Sequence, residues 1–282
     1  MRIGIDLGGT NIQVGSVDRG TLREVHVGST PAGETKETVL EKIFELADRL
    51  PAEEAESIGV GVPSMVDVES GIVYDVQNIP SWTEVPLKER MEARYDVPTY
   101  IQNDANCFAL AEHRFGSGQG QSPMVGMIVG TGFAGGILVD GTLLSGRNCG
   151  AGEFGTVPYR DSIYEHYCSG QFFEREYNTT AKRAHERAKN EEEKALVMFE
   201  TFGTHLGRAV QLILYTFDPS HIVIGGSVRH AYPFFEKAMW KEIKALAFPR
   251  VLDTFTFERS SLDYAGVLGA ATLGLQPETL PQ

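Results

Sequence analysis

Apolar positions along the chain fall into short continuous runs separated by stretches with helical spacing, the pattern of an α/β protein. "RIGIDLGG" reads as a buried strand closed by a tight glycine turn, "NIQVGSVD" as the strand that returns, and "TLREVHV" as an extension of that meander. The spacing of Val39, Ile43, Leu46 and Leu50 predicts a helix from Glu34 to Leu50. "SIGVGVP" is a short buried strand stopped by Pro63. "WTEVPLKERMEARY" reads as a helix, "PTYIQND" as a strand running out into Asn103 and Asp104, and "ANCFALAEHRFG" as the helix that follows.

The glycines of "GSGQGQSP" mark a boundary or an exposed loop, after which the alternation begins again. "MVGMIVGTG" and "FAGGILVDG" read as strands, Phe172 to Asp218 as mostly helical with one long helix from about Glu191, and "HIVIGGSV" as a strand. A helix near Phe234 to Ala247 and a small-residue helix, "YAGVLGAATLGL", complete the chain. Two halves that each open on a strand and a glycine turn predict a duplicated α/β architecture. A length of 282 residues agrees, since a single core rarely fills so long a chain.

Charge and cysteine content narrow the function. A net charge of −13 argues against a nucleic-acid partner, which would demand a basic face, but leaves room for an anionic ligand held by backbone amides and a cation. Three cysteines, Cys107, Cys149 and Cys168, are too few for a disulfide framework, and no apolar stretch is long enough for a membrane span. "MRIGIDLGGT" lacks the apolar core of a signal peptide, so a soluble, cytoplasmic protein is expected.

The candidate chemistry sits at strand ends. Three glycine turns follow predicted strands: "DLGGTN" (Asp6 to Asn11), "GTGFAGG" (Gly130 to Gly136) and "GGSV" (Gly225 to Val228). Glycine lets backbone amides approach a ligand's oxygens, although an ordinary hairpin uses the same residues. No Walker-A lysine pattern and no G-x-G-x-x-G before a helix are present, which disfavours P-loop and Rossmann readings. Asp6 either caps its turn or serves a hydrated magnesium ion between phosphates. In "QNDAN", Asp104 either caps the next helix or, beside Asn103, accepts a proton from a polyol hydroxyl.

"IGIDLGGTN", "GVGVPSMVDVESGIVYDVQNIPSW", "IQNDANCFALAE", "VGTGFAGGILVDGTLLSG", "GAGEFG" and "DPSHIVIGGSV" together resemble the ROK family of sugar kinases and repressors. The matches keep the family's order from Ile3 to Val228, and "GVLGAATLG" is similar to its closing helix. The resemblance implies an actin-like ATPase (hexokinase-type, ribonuclease H-like) fold, two α/β domains with an active-site cleft that close on sugar and ATP. Residues 1–115, with a closing helix at 263–282 returning to them, would form the smaller domain, and residues 116–262 the larger one. By the same resemblance Asp6, Gly8, Gly9, Thr10 and Asn11 form the first phosphate motif, and Thr131 and Gly132 the second. Gly225, Gly226 and Ser227 lie by the adenosine, and Asp6 meets magnesium through water. Asn78, Asn103, Asp104, Glu153 and Glu165 surround the sugar hydroxyls, with Asp104 as the catalytic base.

The chain also departs from the family pattern. Many members read Gly-Glu-x-Gly-His and then a cysteine-rich zinc motif before a glutamate. Here Thr156 replaces the histidine, and "VPYRDSIY" before Glu165 contains no cysteine. Cys149, His166 and Cys168 lack the family spacing, so no structural zinc is expected; His166 and Cys168 instead share a short helix with Glu165. Threonine in place of histidine predicts altered discrimination around C1 and C2 of the sugar. Trp82, near Asn78, could stack beside a sugar or pack over a domain edge. The expected function is ATP-dependent phosphorylation of a hexose, glucose at its 6-hydroxyl, by a homodimer. The alternatives are a kinase for allose, fructose, N-acetylmannosamine or a β-glucoside, and a non-catalytic sugar sensor. A repressor is disfavoured by the acidity and by a start directly on the phosphate strand.

Overall fold

Strand β1 (Arg2–Leu7) passes through the turn Gly8–Thr10 into antiparallel β2 (Asn11–Asp18). Arg19 and Gly20, both at positive φ, then form the two-residue hairpin that leads to β3 (Thr21–Ser29). The computed structural model describes residues 1–275 of the chain. Helix α1 (Lys36–Ala47) is capped by Thr35, whose hydroxyl accepts the Thr38 amide, and buries Val39, Leu40, Ile43, Phe44 and Leu46. Strand β4 (Ile58–Val62) pairs parallel with β1, and β8 (Thr99–Asn103) pairs parallel with β4, giving the order β3-β2-β1-β4-β8. Between β4 and β8 come a small antiparallel sheet, β5 (Met65–Asp67), β6 (Ile72–Tyr74) and β7 (Glu84–Pro86), and helix α2 (Leu87–Tyr95). Helix α3 (Asp104–Phe115) follows β8.

One sequence expectation is corrected here. "WTEVPLKERMEARY" is not helical throughout: Glu84–Pro86 is a strand paired with β6, and α2 begins only at Leu87. The residue before a proline is pushed to extended backbone, and Val85 stands before Pro86 and opposite Val73 in the small sheet. Trp82 is fully buried in the core formed by β1, β4 and α1, so packing is its role.

The second half opens with β9 (Met124–Val129) and β10 (Phe133–Val139), and the Asp140–Gly141 hairpin leads to β11 (Thr142–Leu143). A two-residue-strand hairpin, β12 (Pro158–Tyr159) and β13 (Ser162–Ile163), precedes helices α4 (Glu165–Cys168), α5 (Gln171–Tyr177), α6 (Ala181–Lys189) and the 25-residue α7 (Glu193–Phe217). Strand β14 (His221–Gly225), helix α8 (Tyr232–Ile243) and strand β15 (Thr256–Arg259) follow. The sheet order is β11-β10-β9-β14-β15, with β9, β14 and β15 parallel. In both sheets the third, second, first, fourth and fifth strands of the set stand side by side, so the duplication expected from the sequence is present in the strand order.

The chain divides into two compact units. The first comprises residues 1–120, 136–151 and the described residues from Ser261 onward; the second comprises 121–135 and 152–260. Helix α9 (Ala265–Ala270) therefore belongs to the first unit, and the part of the expected closing helix beyond residue 275 lies outside the described residues. The glycines of β1 and β4 explain how it packs. A Cβ at Gly4 would overlap the Val267 carbonyl, one at Gly59 the Ala270 carbonyl, and one at Gly269 the Cys107 carbonyl. Backbone thus meets backbone at all three crossings, which requires small residues on both sides. In the second unit Phe172, Phe173, Phe199, Phe202 and Phe235, all buried, form an aromatic core under α7 and α8.

Candidate active site

In the first unit the end of β1 carries Asp6 and the turn after it. The Gly8 amide donates to the Asn11 carbonyl at 2.9 Å and closes the turn. Thr30 pins it from β3's end, its hydroxyl donating to the Gly8 carbonyl at 2.7 Å and its amide to the Thr10 carbonyl at 2.9 Å. Thr10 and Asn11 remain exposed. A Cβ at Gly9 would stand 2.6 Å from the Cβ of Asn78, so the first glycine turn and Asn78 lie against each other. Thr30 was not found from the sequence, because its partners lie about twenty residues back and no local pattern marks it.

Asp104 opens α3, but it does not cap the helix. Asn103 does: its Oδ1 accepts the Ala105 amide at 2.9 Å and the Asn106 amide at 3.3 Å, while its Nδ2 donates to the Ser64 carbonyl at 3.4 Å. Asn103 is buried, with its amide committed to the protein on both sides. Asp104 Oδ1 accepts the Ala105 amide at 2.8 Å. Burial pushes the Asp104 carboxyl up to about 6, against the pull of backbone amides. Asp6 is pushed up to about 7, first by burial and then by the charge of Asp104. Asp6 and Asp104 are each half-buried as residues, with their carboxyls lying deep among protein atoms. A Cβ at Gly266 would collide with Asp6 Oδ2, so glycine at the start of α9 leaves the Asp6 carboxylate its space.

Gln102 organises the ground beneath this pair. Its Oε1 accepts from the Asn103 amide at 2.9 Å, Asn106 Nδ2 at 3.1 Å and the Cys149 thiol at 2.8 Å, and its Nε2 donates to Ser145 Oγ at 3.2 Å. Cys149 is thereby a buried donor tying residues 145–149 to the end of β8.

In the second unit the turn after β9 is closed by the Gly130 amide, which donates to the Gly132 carbonyl at 3.0 Å, and Thr131 is exposed at its tip. Gly226, at φ 78°, begins the neighbouring turn after β14; a Cβ there would overlap the backbone of Val129, so only glycine fits. Because β9 and β14 run parallel in register, Ile128 opposite Gly225, the turns bearing Thr131–Gly132 and Gly225–Ser227 emerge side by side. Glu165 reaches the same edge. Its Oε2 accepts the Phe133 amide at 3.0 Å, and its Oε1 accepts Gln171 Nε2 at 3.0 Å. Glu153 opens the short turn Phe154–Thr156, where the Thr156 hydroxyl donates to the Glu153 carbonyl at 2.8 Å.

The segment leading to Glu165 is held by aromatic and polar contacts. Tyr159 stacks on Tyr164 with ring centroids 4.1 Å apart. Arg208 donates to the Tyr159 hydroxyl at 3.3 Å, which passes its own proton toward His205 Nδ1 at 3.0 Å. Burial lowers His205 to about 4, so the ring stays neutral and can accept. On α4, His166 Nδ1 meets Ser162 Oγ at 2.6 Å and Arg175 Nη1 at 3.2 Å; arginine can only donate, so this nitrogen is the acceptor. Cys168 is buried in the second unit and Cys149 in the first. Among the described residues no group of three or more His, Cys, Asp or Glu is arranged to hold a metal ion, and no helix is long and apolar enough to cross a membrane.

The sequence-predicted residues therefore form two constellations. Asp6, Gly8–Asn11, Asn78, Asn103 and Asp104 belong to the first unit, and Thr131, Gly132, Glu153, Glu165 and Gly225–Ser227 to the second. Two α/β units sharing one strand order, each with a glycine turn after its first strand, define an actin-like ATPase of the hexokinase type. The chain belongs to the ROK family, whose model matches residues 2–276. It is 30% identical to a glucokinase of Thermotoga maritima, the match covering 96% of each chain. It is also 30% identical to an N-acetyl-D-glucosamine kinase of Vibrio parahaemolyticus over 98% of this chain and 100% of that one. The structure is similar to a ROK family glucokinase from Streptomyces griseus crystallised with glucose and AMPPNP, with a TM-score of 0.84, 27% identity and coverage of 96% and 98% of the two chains.

Proposed function

We propose that the protein transfers the terminal phosphoryl group of ATP to a hexose, glucose at its 6-hydroxyl, with Asp104 as general base. The observation that carries this reading is the division of labour at β8: Asn103 caps α3, and Asp104 is left with a carboxyl near 6. A base poised near neutrality accepts a hydroxyl proton more effectively than an ordinary carboxylate does. Asp104 takes the proton of the attacking hydroxyl, and Asn78 and Glu165 orient the sugar. The turns Gly8–Asn11 and Thr131–Gly132 meet phosphate oxygens, and Gly225–Ser227 line the adenosine. Asp6 suits a cation held through water, since burial and a neighbouring carboxylate raise it. Magnesium bound there supplies neutralisation of the phosphate charge, as phosphoryl transfer requires.

The match to a glucokinase over nearly the whole chain supports glucose. A second reading, an N-acetylated hexosamine as acceptor, is favoured by the equally identical N-acetyl-D-glucosamine kinase. A coupled ADP-release assay across hexoses and N-acetylhexosamines separates the two. Glucose-dependent release by the wild type is expected, falling about 10²–10⁴-fold in Asp104→Ala. No sugar-dependent ADP release from the wild type would sink the kinase reading, and undiminished turnover in the variant would sink the assigned base.

A further inference from the structure

Glu165 is held at both oxygens by protein donors, and one of those donors reaches the glycine turn as well. Gln171 Nε2 lies 3.0 Å from Glu165 Oε1 and 3.4 Å from the Thr131 carbonyl. Only the amide nitrogen can serve a carboxylate and a carbonyl together, so the partners themselves fix which way the side chain points. Its two N–H groups match the two acceptors. The Gln171 amide is held by Ser169 Oγ at 3.2 Å, and the Gly170 amide donates to the Gly130 carbonyl at 2.7 Å. On the other side of the turn the Phe133 amide donates to Glu165 Oε2, and a Cβ at Gly132 would stand only 2.7 Å from that oxygen. The corner Ser169–Gln171 and the turn Gly130–Phe133 are thus joined by two direct hydrogen bonds and by two more through the Glu165 carboxylate between them.

We propose that Gln171 is a positioning residue that locks Glu165 and the Thr131–Gly132 turn into one arrangement, so that a single side chain sets both the sugar-facing carboxylate and the phosphate-facing turn. This rests on the reading of Glu165 and Thr131–Gly132 as sugar and nucleotide contacts. A carboxylate with one donor on each oxygen keeps a fixed rotamer and still has a lone pair on each oxygen for a sugar hydroxyl. Removing the Gln171 donor frees both the Glu165 rotamer and the Thr131 carbonyl. The residue sits directly after Ser-Gly and carries no spacing signal, so sequence alone does not mark it.

The test uses Gln171→Met, which keeps the length of the side chain and removes both donors, and Gln171→Glu, which keeps its shape and sets a second anion beside Glu165. Steady-state kinetics with the best hexose of the panel and MgATP should show KM for both substrates raised about tenfold in Gln171→Met, the size of one charge-assisted hydrogen bond. The hexose KM should rise further in Gln171→Glu. A residue that merely filled space would leave Gln171→Met near wild type and would not produce that order. Hydrogen–deuterium exchange without ligand reads the clamp independently: the peptide containing Phe133 should exchange about tenfold faster in Gln171→Met. Unchanged exchange there overturns the clamp, whatever the substrate. Faster exchange with unchanged KM values overturns the positioning role. Wild-type protein that releases no ADP with any sugar overturns the kinase reading and this role with it, while the exchange result still decides whether the clamp exists.

Discussion

Replacing Asp6 by asparagine removes a charge that the fold buries at a cost. The Asp6 carboxyl rises from its ordinary 3.8 to about 7, chiefly through burial and secondarily through Asp104. An unfolded chain therefore loses this proton near pH 4, whereas the folded protein keeps it until near pH 7. Between those values the folded state binds more protons, so its stability falls as pH rises. Each pH unit across the window amounts to about 1.36 kcal/mol, and the whole window to about 4 kcal/mol. Relaxation around the carboxylate lowers this ceiling, and a difference of about 2 kcal/mol or more is expected. Asp6→Asn should accordingly gain stability over wild type between pH 4.5 and pH 8. Urea unfolding followed by circular dichroism at the two pH values measures this, and comparing the pH values cancels any fixed effect of the amide. A stability difference that is the same at both, or one that favours wild type more at pH 8, would refute the argument. Under the proposed function the same variant loses phosphoryl transfer, so the more stable protein is the less active one.

The close crossing of α9 over α3 makes Gly269→Ala a severe change, because the new methyl overlaps the Cys107 carbonyl; a loss of about 3 kcal/mol in urea unfolding is expected. Tyr159→Phe leaves His205 and Arg208 without their shared partner and should cost about 1 kcal/mol by the same measurement, with the hexose KM raised if this cluster steadies α4. Thr156→His restores a longer donor beside Glu153 and should change the ranking of hexoses differing at C1 and C2 in the ADP-release panel; an unchanged ranking would remove Thr156 from specificity.

Much of the fold was legible because it rests on short-range rules. Continuous apolar runs marked β1, β4, β9 and β14, and apolar spacing marked α1. The glycine turns after β1 and β9 announced themselves, since a tight strand-end turn needs residues that approach closely without a Cβ. Even the helix read across strand β7 carried its own correction, because Pro86 extends Val85 by local sterics. The small-residue run after Tyr264 indicated close packing, but the surfaces it meets, Gly4, Gly59 and Cys107, lie far away in sequence.

The site was half legible. Residue chemistry and family resemblance pointed to Asp6, Asp104 and Glu165, and they left two alternatives at Asp104, of which the coordinates remove the helix cap. Asn103 takes the cap because its extended backbone aims Oδ1 at the amides of the first helical turn, and backbone angles are not written in residue names. The stretch before Glu165 has no zinc-motif cysteines, yet nothing in it says what holds the carboxylate. Gln171 and the Phe133 amide do so, from 6 and 32 residues away in the chain. Sequence by itself determined the longer elements, their order and the residue types at the strand ends, because those follow from local sterics and hydrophobic period, whereas the short strands β5–β7, β12, β13 and β15 exist through their pairing. Tertiary structure alone decided strand order, charge state and hydrogen-bond partner, because burial and proximity are properties of the packed chain.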